Sequence, residues 1–436
     1  MFEQIFAFIK RLFPHKKTLT SEKEQADNQA YADEYMIIDK ISFNAIFAGR
    51  LATLSTTDSV CEIPADNKRA ELLDGVLKSV WNKIKKITAT ALGVGGCVIV
   101  PYVSKGKIYY NIIKQNRLMI NGCTGDNITS ATVLADSIVI NNSLYYRFTN
   151  YEVIDNTLYI TNKTTTSGGS PAVVDEWADI EDIAIQNVDR VLFGFIKSPV
   201  DNRRTSDEYG VPITYGCKEI IDDIKECLNQ LRKEFKLKGV KVQLDARLFD
   251  TDPKTGKPII KDDLFMSGYS DDGKMFNIFD PAIREGSYHS RLDKLYELLE
   301  KQIGTSKGIL STPQTHGATA TEIKEAMKDT FAIITDIRKA IKKGLEDFMY
   351  ACDVLANYYN LSPQGEYEIK YDWDYSLIES TTETWQQLKD GQAMGLRSKA
   401  ELRAWQTGET LEDAQAAVDE IAAKEPNMQA LLGMSD

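Results

Sequence analysis

Residues 287–360 read SYHSRLDKLYELLEKQIGTSKGILSTPQTHGATATEIKEAMKDTFAIITDIRKAIKKGLEDFMYACDVLANYYN, and the rest of the chain is arranged around them. In the first part Leu292, Leu295, Leu298, Leu299 and Ile303 recur at helical spacing and make a narrow apolar stripe. The stripe stops at Gly304-Thr-Ser-Lys-Gly308, where glycine can take the positive φ that ends a helix. A polar connection follows through Thr315, His316 and Gly317. Thr319-Ala-Thr-Glu322 then has the spacing of a capping box. From there Ile323, Met327, Phe331, Ile334, Ile337, Ile341, Leu345, Met349, Cys352 and Leu355 hold one apolar face to about Asn360. At 1.5 Å per residue this predicts a helix of roughly 60 Å. A helix so long must cross a large body or line something.

Working outward, 436 residues suggest two to four structural units, and 43% hydrophobic with 27% charged residues suits a chain with a sizeable core. The net charge of −12 argues against tight phosphate gripping. It is compatible with a wall past which DNA must slide, because acidic surfaces repel phosphate. Six cysteines lie far apart with no C-x-x-C pair, so reduced buried thiols fit better than a zinc or disulfide framework. Three histidines leave little scope for His-based catalysis. No run of about eighteen apolar residues occurs, so no membrane span is expected. Phe2, Ile5, Phe6, Ile9, Leu12 and Phe13 share a helical face beside Lys10, Arg11, Lys16 and Lys17. Glu3 and Lys10 interrupt the run and no basic n-region precedes it, so a signal peptide is not expected. We read it as a segment that packs on a protein partner in preference to a membrane.

Helices are expected over residues 30–54 and 68–92, and paired strands over 98–103 and 107–113 with Ser104-Lys-Gly106 as the turn. Short strands are expected at 137–140, 144–149, 151–155 and 158–162, and a flexible loop at 164–171. These make 30–200 a mixed α+β region with an antiparallel sheet. A helix follows with Ile220, Ile221, Ile224, Cys227, Leu228, Leu231 and Phe235 on one face. Its end is basic (Arg232, Lys233, Lys236, Lys238), which complements the helix dipole. Residues 239–283 read as a strand-rich insert, with a turn at 250–258 between strands near 240–244 and 275–279. Beyond residue 360 a strand at 367–375 and helices at 380–394, 398–407 and 411–424 are expected.

Four patterns hint at chemistry, and none completes its motif. In Gly304-Thr-Ser-Lys-Gly308 the lysine precedes the second glycine, whereas a phosphate loop needs it afterwards. Leu92-Gly-Val-Gly-Gly-Cys97 stands between a helix and a strand, the reverse of a dinucleotide fold, and reads as close packing. Asp250, Asp252 and Gly256 echo a calcium loop, but Lys261 stands where its closing Glu belongs. Asp222/Asp223 and Asp372-Trp-Asp374 lack any neighbouring nucleophile or oxyanion donor in the sequence. These residues point to a non-enzymatic protein with no cofactor and no metal.

The order of elements resembles the portal (head–tail connector) proteins of tailed bacteriophages, of the type found in siphophages of Gram-positive hosts. The likeness rests on the Phe/Ile/Leu and Lys-Arg segment at 2–17, on Ala91-Leu-Gly93 with Gly96, and on Pro199-Val-Asp-Asn202 with Tyr209-Gly-Val-Pro212. It rests further on Gly304-Thr-Ser-Lys-Gly-Ile-Leu310 with Ala318-Thr-Ala-Thr-Glu322, and on Gly395-Leu-Arg-Ser398. The resemblance implies an α+β portal fold assembled as a ring of about twelve identical subunits at one capsid vertex of the virion, built in the cytoplasm of the bacterial host. Double-stranded DNA would pass through it without sequence preference during packaging and ejection. By position it implies an N-terminal helix and arm (1–29), an α+β wing (30–213), two stem helices (214–238 and 284–303) and a clip (239–283). A tunnel loop (304–319), a long helix (320–360) and a helical crown (361–436) complete it. The tunnel-loop residues would be Gly304, Thr305, Ser306, Lys307, Gly308, Thr315, His316 and Gly317. Arg232, Lys233, Lys236 and Lys238 would face DNA from the stem. Asp250, Asp252, Lys254, Lys257 and Lys261 would dock the large terminase and later the head-completion adaptor. Major capsid and scaffolding proteins are further implied partners; a membrane is not. Another ring-forming adaptor of a head–tail or injection machine is the alternative, and a nucleotide-dependent enzyme using Gly304–Gly308 is a more distant one.

Overall fold

Ser42 takes an extended conformation (φ −107°, ψ 104°), and its hydroxyl accepts a hydrogen bond from the Ala45 N–H, which starts helix α1 (Phe43–Thr56). The single helix expected over 30–54 is therefore interrupted before Phe43. The structure, a computed structural model, describes residues 35, 40–125, 127–178, 180–203, 208–237, 241–245, 248–255, 257–260, 265–268, 276–279, 284–312, 320–373 and 381–424. The N-terminal segment at 2–17 and the capping residue Thr319 lie outside them.

Strand β1 (Val60–Glu62) precedes α2 (Lys68–Trp81) and α3 (Ile84–Val94). These two helices replace the one predicted over 68–92. The break is a tight turn in which the Lys83 N–H donates to the Val80 carbonyl, with Lys83 outside helical geometry. Gly95, at φ 96°, closes α3 in the left-handed conformation and lets the chain turn straight into β2 (Gly96–Ser104).

β2 pairs with β3 (Lys107–Lys114) through Lys105-Gly106, both at positive φ. Two-residue turns of this kind match the strand twist. β4 (Leu118–Thr124), β5 (Asn127–Ile140), β6 (Ser143–Ile154), β7 (Thr157–Thr166) and β8 (Ile183–Gln186) form a five-stranded antiparallel meander in chain order. Asn141-Asn142 and Asp155-Asn156, again at positive φ, make two of its turns. β9 (Gly194–Lys197) returns to β2, giving the order β3-β2-β9. The strands expected at 144–149 and 151–155 are one strand. Asn150, between them, is buried and accepts from the Thr132 hydroxyl at 2.9 Å across the sheet. The loop expected at 164–171 is shorter than predicted, because β7 runs to Thr166 and Thr165 pairs with Pro171.

α4 (Lys218–Leu237) leads to β10 (Lys241–Asp245), β11 (Phe265–Gly268) and β12 (Phe276–Phe279). β10 is central in this sheet, parallel to β11 and antiparallel to β12. α5 (Glu285–Ile303) returns against α4, and α6 (Ala320–Tyr358) follows with 39 residues, about 58 Å. α6 ends in a left-handed residue, Asn360, with the Leu361 N–H bonded to the Ala356 carbonyl. β13 (Lys370–Asp372) pairs with β1.

The main core joins the inward faces of both antiparallel sheets to the C-terminal half of α6. Val98, Ile113, Leu118, Val133, Tyr151 and Phe193 meet Ala351 and Leu355 there. α6 approaches β9 so closely that a Cβ built on Gly344 would lie 2.4 Å from Ile196 Cγ1, and one on Gly194 would lie 2.2 Å from the Gly344 carbonyl oxygen. The end of α6 is held by Arg69 of α2, which is 1% exposed. Its guanidinium donates to the carbonyls of Asp353, Ser362 and Pro363 and to Asn357 Oδ1, and lies 3.2 Å from the Asp353 carboxylate.

The chain divides into two compact units, residues 1–318 with 325–371, and residues 319–324 with 372–436. In the second, α7 (Thr381–Ala393), α8 (Lys399–Thr407) and α9 (Leu411–Lys424) follow one another. Ser398 and Glu401 form a capping box at α8. The rings of Trp385 and Trp405 stack at 5.7 Å.

Candidate functional site

The turn after α5 is built around one carboxylate. Glu300 stands on the last turn of α5, beside the Leu292/Leu299 face, and is 1% exposed. Its Oε1 accepts from the backbone N–H groups of Ile309 (2.8 Å), Leu310 (2.6 Å) and Ser311 (3.1 Å), and its Oε2 from the Ser311 hydroxyl (2.5 Å). Successive backbone N–H groups turned inward make an anion-binding nest. Here the anion is the chain's own. The backbone carbonyl of Glu300 accepts in addition from the N–H and hydroxyl of Thr305.

A second tie runs to the long helix. The Ser306 N–H donates to Thr330 Oγ1 at 2.9 Å, and the Thr330 N–H donates back to Ser306 Oγ at 3.3 Å. Both residues are buried. The turn thereby joins α5 to α6 through hydrogen bonds out of reach of water, where each is strong and its loss costly.

The residues singled out in the sequence fall in three separate places. At the turn, Gly304 (φ 86°) caps α5 and Gly308 (φ 114°) sits before the nest. Thr305 and Ser306 are only 4% and 6% exposed, so their side chains support the turn and present almost nothing to a passing molecule. Glu300 and Thr330 use the hydrogen bonds that a free loop would give to water. Lys307 is half-exposed and pairs with Glu297 at 2.9 Å. Thr315, His316 and Gly317 lie outside the described residues.

On α4, Arg232, Lys233 and Lys236 are exposed; Lys238 lies outside the described residues. The opposite side of α4 buries Ile221, Ile224 and Cys227. α4 and the root of α5 are clamped by Glu234. It accepts from Arg284 Nε at 2.9 Å, from a second guanidinium nitrogen, and from the Tyr288 hydroxyl at 3.1 Å. The Arg284 hydrogen bond holds the Glu234 carboxyl below the usual carboxylate range.

Asp250, Asp252, Lys254 and Lys257 lie in a tight hairpin. Thr251 pairs with Pro258, the Asp252 N–H donates to the Lys257 carbonyl, and the Ile259 N–H donates to the Asp250 carbonyl. The Asp252 carboxylate accepts from the Lys254 N–H and the Thr255 hydroxyl, which holds its pKa down. An acid so engaged is a turn former, as the incomplete calcium pattern suggested. Lys261 lies outside the described residues.

The glycines of Leu92–Cys97 are explained by packing. Gly95 abuts Gly210, whose N–H and carbonyl both bond the Gln115 amide. Among the described residues no group of His, Cys, Asp or Glu is placed to hold a metal ion, and no helix is long and apolar enough to cross a membrane. Glu300 and Thr330 went unmarked in the sequence. The one signal was a carboxylate placed directly after Leu299 and four residues before the terminating Gly304.

The chain combines an α+β region, a helix pair, a small three-stranded sheet and a long helix. The protein-family model described as "Phage portal protein, SPP1 Gp6-like" matches residues 184–429, more than half of the sequence. The chain belongs to that phage portal family. Among solved structures, a chain of the virion of a native gene transfer agent particle is similar at 10% identity and a TM-score of 0.44, covering 87% of this chain and 92% of that one. A chain from the neck of the native particle, computed with C12 symmetry, is similar at 10% identity and a TM-score of 0.37, covering 83% and 89%. No curated protein matches the chain.

Proposed function

We propose that the protein is a portal subunit that assembles as a ring of twelve at one capsid vertex, and that double-stranded DNA passes through the ring during packaging and ejection. The observation that carries this reading is the family match over residues 184–429, which spans α4 through α9 and so includes the turn, the long helix and the small sheet. In this reading residues 30–213 form the wing, and 214–238 with 284–303 the stem. Residues 239–283 form the clip, 304–319 the tunnel loop and 361–436 the crown. The net charge of −12 supports passage without tight phosphate gripping.

The burial of Thr305 and Ser306 narrows the part of the loop available to DNA to Lys307, Gly308 and the residues after them. The exposed Arg232, Lys233 and Lys236 are the stem positions open to phosphate. The hairpin around Asp252 is the docking element for the large terminase and then for the head-completion adaptor, with capsid and scaffolding proteins around the wing. The host of the parent phage, Gram-positive in this reading, supplies the cytoplasm in which the ring is built.

Electron microscopy of the purified full chain tests the reading. Rings with a central channel and about twelvefold symmetry are expected. Monomers at every concentration and salt condition, or closed particles without a channel, overturn it.

A further inference from the structure

We infer that Glu300 is the positioning residue of the loop root, an internal anion that locks residues 304–311 to the end of α5 so that helix and turn move as one body. The functional weight of this inference rests on the portal reading; the lock itself does not.

Three consecutive N–H groups and one hydroxyl converge on the Glu300 carboxylate, and the side chain that carries it is 1% exposed. Backbone amides at Ile309, Leu310 and Ser311 have no place in a helix or strand. Without the carboxylate they would need water, and Ser311 is itself buried. The turn's shape is therefore conditional on an acceptor at that point. The anion need not be recruited, because the helix that precedes the turn delivers it nine residues upstream of the first donor. The same arrangement accounts for the failed phosphate-loop resemblance. A Gly/Ser turn does cradle an anion, yet Glu300 fills the cradle and leaves those amides nothing to offer a passing phosphate.

The lock has a direction. Glu300 ties the turn to α5, while the reciprocal Ser306–Thr330 pair ties it to α6. A displacement of the α5 end therefore reaches α6 through the turn. A compliant linker would absorb it instead.

Amide hydrogen exchange on the full-length protein in its purified oligomeric form reads the lock directly. In the wild type the amides of Ile309–Ser311 are expected to be protected like those of α5. Glu300→Ala should speed their exchange by about tenfold or more. Glu300→Gln, which keeps one acceptor oxygen, should fall between. Protection in α4 and α5 should stay unchanged, which shows the fold is intact. If Glu300→Ala is insoluble, Ser311→Ala and Thr330→Val probe the same network, one bond from each tie, and should each raise exchange in 304–311. Unchanged protection of 309–311 in Glu300→Ala, or in both substitute variants, overturns the lock. DNA packaging by particles carrying Glu300→Gln separates the two claims. Faster exchange with normal packaging keeps the lock and rejects the tunnel-loop reading, whereas faster exchange with impaired packaging supports both.

Discussion

Arg69 shows how much a single buried side chain can hold. Its guanidinium satisfies three carbonyls, one amide oxygen and one carboxylate at the end of α6. A positive charge at a helix C-terminus is favourable, and this one is shielded from water. Arg69→Ala leaves the Asp353 carboxylate without its cation and should cost about 3–5 kcal/mol in denaturant unfolding. Arg69→Lys should rescue little, since an ammonium lacks the planar fork that reaches Ser362 and Asn357 together. The Glu234–Arg284 pair is the less buried counterpart. The Glu234 carboxyl is held below the ordinary value by Arg284, so the clamp's contribution is present above about pH 4 and lost as pH falls through the lowered value. The difference in thermal midpoint between wild type and Glu234→Gln should therefore be small, present at neutral pH, and gone in acid. A gap that persists at low pH would assign the effect to packing instead. At the cysteines, burial pushes the thiols of Cys61, Cys97 and Cys217 up to about 12, and Cys227 and Cys352 are also buried. Alkylation of native protein near pH 8 should label Cys123 and spare the other five.

Among the elements, α6 is where pattern and packing part company. Its apolar spacing predicted a long helix, and 39 residues are helical. What the spacing left out is Gly344, which looks like a weak point in a helix because glycine costs about 1 kcal/mol against alanine there. Tertiary contact reverses that sign. The backbone of β9 runs so near that any Cβ at 344 or 194 meets Ile196 or the Gly344 carbonyl. Gly344→Ala and Gly194→Ala should each destabilise by about 1–3 kcal/mol. Gly75→Ala on α2, with open space around it, should stabilise by up to about 1 kcal/mol. Equal effects at the three sites would mean that α6 does not press on β9. The sheet was legible in part. Asn-Asn and Asp-Asn pairs between apolar runs are turn chemistry, and both became two-residue turns. Asn150 carries the same chemistry and sits mid-strand, because Thr132 on the neighbouring strand satisfies it. No local rule sees a partner eighteen residues away.

For the whole molecule, the portal reading makes the small sheet and its hairpin a docking element, separable from ring formation. Asp252→Ala removes the acceptor for the Lys254 N–H and the Thr255 hydroxyl. Binding of terminase or adaptor should weaken while rings form normally, as measured by co-sedimentation with assembled particles. Undiminished binding would reject the clip assignment. The length of α6, the Ser104-Lys-Gly106 turn between paired strands and the incompleteness of each chemical motif could be read along the chain, since each depends on residues a few positions apart. The portal family was legible for the same reason, because it is carried by an ordered series of local patterns. Folding alone revealed that Arg69 closes a helix nearly three hundred residues away, that Gly344 is a contact, and that the turn after α5 is held by Glu300 and Thr330. These depend on which distant groups arrive at one place. A buried carboxylate beside an apolar stripe has no sequence signature until the amides that surround it are in position.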